Sequence, residues 1–272
     1  MVVSSDAGRF VAWGNAYLAE QVSLDEAAQA ITGDVDVHRV LTWNQGQGEG
    51  HDSVAMAPAL GMLRRHGVLG LRLVLPVPGD VTGVPGPRSA AAAATDAGEA
   101  VVSVSEVTVP PLMLIPRVVD TDDDRSTAVT LWQPHVVELT RAPYGLPTLS
   151  EADRQLTEAL AEATDTLARL DVARGRDDFA RELGVIMRTT EHINVPAQLP
   201  ARAARMIASG SRLLAIVALA QRTDGATVSA TAADRRREAF RPIERAARYA
   251  LCAGYSAQAE ERELDKLRRG LS

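Results

Sequence analysis

The chain has 272 residues, 46% hydrophobic and 24% charged, with a net charge of −6, a composition that fits a folded globular protein and excludes disordered and collagen-like chains. At about 150 residues per domain the length corresponds to one or two domains. Residues 1–148 carry 17 acids and 9 bases while residues 149–272 carry 18 and 20, so an acidic first part precedes a slightly basic second one. This disfavours whole-surface binding of nucleic acid by the first part.

In chain order, Phe10, Trp13 and Tyr17 recur at helical spacing and predict a first helix from Asp6 to about Glu20. Ser23-Leu-Asp-Glu26 has the form of a capping box and opens a second helix that Gly33 stops. Val35, Val37, Val40 and Leu41 predict a strand ending near Trp43. A glycine loop, Gly46 to Gly50, follows, then a helix from Ser53 to His66 capped by Asp52 or Ser53, and a strand from Val68 to Val77. The Pro/Gly-rich stretch Pro76 to Pro87 reads as a loop, with a short alanine helix at 90–94 behind it. Strands are expected near 100–108, 112–119 and 128–133, the last two joined as a hairpin through the acidic turn Asp120 to Arg125. Successive strands without intervening helices predict an α+β class: an N-terminal mostly antiparallel sheet with flanking helices, placed on one face.

Past Leu149 the pattern is helical throughout. Leu149, Leu156, Leu160, Ala163, Leu167 and Leu170 form a seam of the bundle kind. Further helices are expected over 177–191, 201–222 and from Thr231 to Arg269, bent at Gly254. These elements predict two domains, an acidic α+β domain over 1–148 and an all-helical antiparallel bundle over 149–272.

The 45 alanines and 28 arginines against the single lysine, Lys266, are the mark of a GC-rich, bacterial genome. Cys252 is the single cysteine, so no intramolecular disulfide is possible, and its alanine-rich surroundings predict a buried small hydrophobe. The start, MVVSSDAGRF, lacks a basic segment before an apolar block, and the longest clean apolar run, Leu213 to Ala220, is short of the ~18 residues of a membrane span. A cytoplasmic location without membrane contact is the expectation.

No Walker A, Gly-x-Ser-x-Gly, His-Glu-x-x-His or cysteine-pair motif occurs, so no catalytic residue, cofactor or metal is assigned. Gly46, Gly48 and Gly50 with His51 are candidate ligand contacts, because glycine lets backbone amides approach a phosphate at a helix N-terminus. The third glycine falls one position early for a dinucleotide fingerprint. Asp80 and Arg88 flank the second Gly-rich loop, whose prolines remove amide donors. Asp120, Asp122 and Asp124 alternate like calcium ligands, but Arg125 and Leu131 occupy the positions of the required glycine and glutamate. The stretch Phe179 to Val185 resembles the first helix and turn of a helix-turn-helix and departs from it at Thr190.

The most regular polar feature is a pair of arginine stripes: Arg202, Arg205 and Arg212 on one helix, and Arg237, Arg241, Arg245 and Arg248 on the next. They serve either as a salt-bridged solvent face or, where the helices adjoin, as one basic patch for an acidic partner, nucleic acid or a phosphorylated ligand. Aromatics to stack bases are scarce beside them, only Tyr249 and Tyr255, which disfavours single-strand binding. The resulting expectation is a non-enzymatic interaction or regulatory protein that binds an acidic protein partner, or itself, through an arginine-lined face. A nucleic-acid-binding regulator and a small-molecule or phosphate-binding enzyme using the Gly-rich loops are the alternatives.

Overall fold

The computed structural model describes residues 5–33, 37–44, 47–105, 109–120, 128–138, 145–169, 181–182, 184–186, 193–222 and 230–270. Packing divides the chain into two compact units. One is built from Ser5–Leu146, Asn194–Pro200 and Tyr255–Ser272, and the other from Pro147–Ile193 and Ala201–Gly254.

The first unit is a six-stranded sheet in the order β2-β1-β6-β5-β4-β3, with strands β1 (Val37–Asn44), β2 (Gln47–Ala55), β3 (Val68–Val74), β4 (Ala100–Ser105), β5 (Leu112–Asp120) and β6 (Ala128–Val136). Every pairing is antiparallel except β1 with β6, which is parallel, so the sheet is mixed and mostly antiparallel, within an α+β chain. Helix α1 (Asp6–Leu18) starts where the Ser5 hydroxyl accepts from the Gly8 N–H, and α2 (Leu24–Thr32) starts at Ser23, whose hydroxyl accepts from Glu26 N–H as the capping box predicts. Gly33 ends α2 with a φ of 68°.

Strand alternation sorts the helices by face. Phe10 of α1 meets Trp132 of β6 edge to face at 5.0 Å, on the side that also carries Leu71, Leu73, Val101 and Leu114. Helix α4 (Arg88–Ala97) instead inserts Ala90 and Ala94 among Val74, Val102, Met113 and Ile115, whose side chains point the other way. Helices therefore cover both faces, which corrects the expectation of one. An alanine run is small enough to lie close on a sheet, and that placement cannot be read from its own periodicity.

A second correction concerns the first glycine segment. The chain does not enter a helix there: β2 forms a hairpin with β1, pairing Arg39 with Ala55, Leu41 with Ser53 and Trp43 with Glu49, with register shifts on either side of Trp43. Helix α3 (Met56–Arg65) begins only after Ala55, with no side-chain cap, so neither Asp52 nor Ser53 caps it. The Ser53 hydroxyl accepts from Arg39 Nε at 3.2 Å instead. An edge strand pairs on one side only, and its register tolerates glycine and polar residues that read as loop.

The other edge, β3, is closed by side chains. Residues 69, 71 and 73 turn their backbone groups away from β4. The Asn15 amide pairs with both Leu71 N–H (2.8 Å) and Leu71 C=O (2.9 Å). The Ser256 hydroxyl accepts from Leu73 N–H at 3.0 Å, and Arg262 donates to Leu69 C=O at 2.9 Å. These contacts come from α1 and from the C-terminal part of the last helix, α7 (Ala230–Gly270). They satisfy a strand edge that would otherwise template association.

In the second unit, α5 (Leu149–Arg169), α6 (Ala201–Arg222) and α7 up to Gly254 share one core: Ala152, Leu156, Ala159 and Ala163 against Met206, Leu213 and Val217 and against Phe240, Ile243, Ala247 and Ala250. A capping box opens α5, with Glu151 accepting from the Thr148 N–H and hydroxyl, each at 2.9 Å. Those hydrogen bonds hold its carboxyl below the usual range. Among the described side chains the seam does not follow the leucine count at Leu160, for Ala159 takes the core position and Leu160 is 43% exposed, while the Leu167 side chain and Leu170 lie outside the described residues. Gly210 and Gly254 bring α6 and α7 close, for a Cβ at Gly254 would lie 2.7 Å from Ile207 Cγ1 and one at Gly210 3.0 Å from the Ala247 carbonyl. Helix α7 runs through both Pro242 and Gly254 as one helix. Ile186 packs on Ala215 and Leu219. Most of the helix expected over 177–191, the helix-turn-helix comparison at Phe179 and Thr190, and the aspartates Asp122 and Asp124 lie outside the described residues.

Candidate functional site

The arginine stripes lie on the bundle as follows. On α6 the positions that meet α7 are Ala203, Ile207, Gly210 and, through its side-chain amide to Glu244, Gln221. Arg202 lies to one side of these positions and donates to Asp153 of α5 from Nε (3.0 Å) and Nη2 (2.8 Å), with Ser150 nearby at 3.4 Å. At 100° per residue Arg205 and Arg212 lie about 60° and 80° round the helix from Arg202, on the side away from Ala203, Ile207 and Gly210, so the α6 stripe does not face α7. On α7, Arg237, Arg241, Arg245 and Arg248 point away from Phe240, Ile243, Ala247 and Ala250, which fill the core. The structure thus holds two separate stripes and does not merge them into one patch.

Their states differ. Arg202 is tied to a carboxylate of the neighbouring helix, with both side chains half-exposed. Arg237 pairs with Asp234 one turn earlier, with both side chains about two-thirds exposed (64% and 66%). A pair that exposed contributes little, about 0–1 kcal/mol, so a partner's carboxylate can displace it. Arg241 and Arg245 are exposed, and the Arg248 guanidinium lies 5.9 Å from the Tyr249 ring centroid.

The ligand-loop residues belong to different elements of the sheet unit. Gly48, Gly50 and His51 belong to β2 and Gly46 lies outside the described residues, whereas Asp80 and Arg88 follow β3. Asp80 is occupied in its own turn: its backbone pairs both ways with Val77 at 2.9 and 3.0 Å, and its carboxylate accepts from Thr82 N–H. Gly86, at a φ of 95°, presses on Val137, so the loop is packed onto the sheet unit. Arg88 is exposed at the start of α4.

Of the histidines, His38 is buried and its Nδ1 accepts from the Trp132 indole N–H at 3.1 Å, which puts the ring proton of neutral His38 on Nε2. His66 meets Trp43 edge to face at 6.1 Å. Cys252 is buried. Among the described residues no group of three His, Cys, Asp or Glu side chains is placed to hold a metal.

Two features escaped the sequence reading. One is a cleft of about 550 Å³ in the sheet unit, beside the β3 edge, where Arg64 and Arg262 face apolar walls from Leu18, Leu69 and Val104. The other is a buried polar cluster at the start of α1. There Glu99 accepts from the Ser5 hydroxyl at 2.6 Å and from the Ala7 and Asp6 amides, close to Tyr255. Burial outweighs these hydrogen bonds and raises the Glu99 carboxyl, and burial pushes the Tyr255 phenol up to about 12. Both features assemble residues far apart in sequence, and no local motif announces them.

Fold and surface together define a two-part α+β chain, a mixed sheet unit and an alanine-rich helical bundle. Models of the Rv1486c-like protein, N-terminal domain, and of the Rv1486c-like protein, C-terminal domain, match residues 7–147 and 150–252 respectively, and the chain belongs to this family. Uncharacterized protein Rv1486c of Mycobacterium tuberculosis strain ATCC 25618 / H37Rv is 27% identical over 274 residues, covering 90% of this chain and 94% of the relative. Uncharacterized protein MT1533 of strain CDC 1551 / Oshkosh gives the same figures. No solved structure matches the chain.

Proposed function

We propose that this protein is a non-enzymatic interaction or regulatory protein whose α7 stripe, Arg237, Arg241, Arg245 and Arg248, binds an acidic partner in the cytoplasm. The observation that carries the reading is the placement of four guanidinium groups on the side of α7 turned away from the core, with Arg241 and Arg245 exposed. Guanidinium forks bind carboxylates two-pronged and stay charged at every physiological pH. The α6 stripe is a weaker candidate, because the Arg202–Asp153 pair joins two helices and is less exposed than the Arg237–Asp234 pair. One helix, Ala201–Gln221, is long and apolar enough to cross a membrane by length and composition, but 56% of its apolar window is buried, and its core side is taken up by α5 and α7. That packing supports the cytoplasmic reading.

The test is affinity capture with the full chain, comparing wild type, Arg241→Glu/Arg245→Glu and Arg205→Glu. Recovery of an acidic partner is expected to fall with the double variant and with added salt, since the screening length shrinks from about 10 Å at 0.1 M to about 3 Å at 1 M. Arg205→Glu is expected to leave it intact. Unchanged recovery of every partner by the double variant would remove the stripe from the account.

A further inference from the structure

The cleft beside the β3 edge holds a charge arrangement that the edge closure alone does not require. Arg64, Arg262 and Glu263 line it, and Glu20 and Arg72 are the ion-pair partners of Arg64 and Glu263. Arg64 also lies over the Tyr17 ring at 5.3 Å. Arg262 has no carboxylate among the described residues. Its two terminal nitrogens donate to the Leu69 and Asn15 carbonyls, which clamps the group and leaves three of its five N–H donors for another acceptor. It is also partly buried, where an uncompensated charge is costly and a matching anion is worth more than in water. Burial alone pushes its pKa down, in keeping with the missing acid.

The walls decide which anion. Leu18, Leu69, Val104 and Ala259 are aliphatic, and no aromatic ring lines the cleft among the described residues. The volume of about 550 Å³ falls within the range of small-molecule sites, about 300–1,000 Å³. A free phosphate would leave the aliphatic walls unused, and a dianion would meet one net positive charge.

We propose that this cleft binds a small aliphatic monocarboxylic acid, its carboxylate on Arg262 and its chain along Leu18, Leu69 and Val104. The site is independent of the α7 stripe, and the two readings stand or fall separately. Binding there would tie ligand occupancy to the side chains that close β3, because Arg262 serves both.

Isothermal titration of the full chain with octanoate, octanamide and inorganic phosphate tests it, on wild type, Arg262→Gln and Val104→Phe, with thermal melts to verify folding. Octanoate is expected to bind one to one, and octanamide and phosphate at least about tenfold more weakly, as loss of a charge-assisted hydrogen bond implies. Val104→Phe fills the cleft without touching Arg262 and is expected to weaken octanoate by about tenfold or more. Arg262→Gln is expected to do the same where it folds. If it does not fold, the octanoate–octanamide comparison on wild type and the Val104→Phe variant decide. No saturable heat with octanoate, equal binding of acid and amide, or unchanged octanoate binding by Val104→Phe would overturn the proposal.

Discussion

At the scale of single residues the α1 start brings together two groups, Glu99 and Tyr255, whose ionisation burial shifts. Ser5 caps the helix and also donates to Glu99, whose carboxyl is raised mainly by burial and further by Asp6. A carboxyl raised in the folded state contributes stability that is fully present below its ordinary range and is lost as pH rises through the raised value. Wild type is therefore expected to gain stability relative to Glu99→Gln as pH is lowered from 7 to 4, read from melting temperatures across that range. Parallel curves for the two proteins would show that Glu99 does not titrate as its burial demands. Tyr255 works in the same sense at the alkaline end, its contribution present below 10 and lost through about 12. Glu151 works in the opposite sense, since its hydrogen bonds to Thr148 depress it. Its contribution is present above the ordinary glutamate range and lost in acid.

Among the elements, β3 is the one whose closure depends on few side chains. Asn15 satisfies two backbone groups of Leu71 at once. Asn15→Leu keeps the volume and removes both partners, at about 1–3 kcal/mol for each orphaned group. A drop in the midpoint of chemical unfolding followed by tryptophan fluorescence checks this, and the Thr157→Ala change on the exposed face of α5 serves as a control near zero. The helices α1 and α2, the limits of α6 and α7, and strands β3 to β6 were legible because periodicity, caps and β-branched runs are local signals. Strand β2 was not, since Gln47-Gly-Glu-Gly-His-Asp-Ser53 carries no strand propensity and is held by the hairpin alone. The face covered by α4 was not legible either, because a run of alanines has no apolar side. Nor did the stripes reveal their separation, which depends on α6 turning Gly210 to α7 and Arg202 to Asp153.

For the whole molecule, sequence order and packing order differ at the C-terminus. Tyr255, Ser256 and Arg262 come last in the chain and belong to the sheet unit, where they lie against Gly8, Leu73 and Leu69. A fragment ending at residue 148 retains all three tryptophans, Trp13, Trp43 and Trp132, but lacks the groups that satisfy Leu69 and Leu73. It is expected to self-associate or to melt below the full chain, checked by light scattering and fluorescence-detected unfolding. A monomeric fragment with the full chain's fluorescence transition would mean that the tail adds nothing to the sheet unit.

The charge partition acts at the same scale. On the proposed function, the acid excess of residues 1–148 disfavours docking of a large anionic partner there, and the arginines of the bundle are the basic ground for it. The cleft was hidden from the sequence for a related reason: Arg64 and Arg262 are nearly two hundred positions apart, and only the fold brings them together. On the proposed function the outer face of α7 is the docking surface, and site-specific photocrosslinking inside the cell reads out which face meets the partner. A photoreactive residue in place of Arg241 or Arg245 should capture the same acidic protein, while one in place of Arg205 should not. Capture from position 205 alone, or none from 241 and 245 in a folded protein, would contradict it.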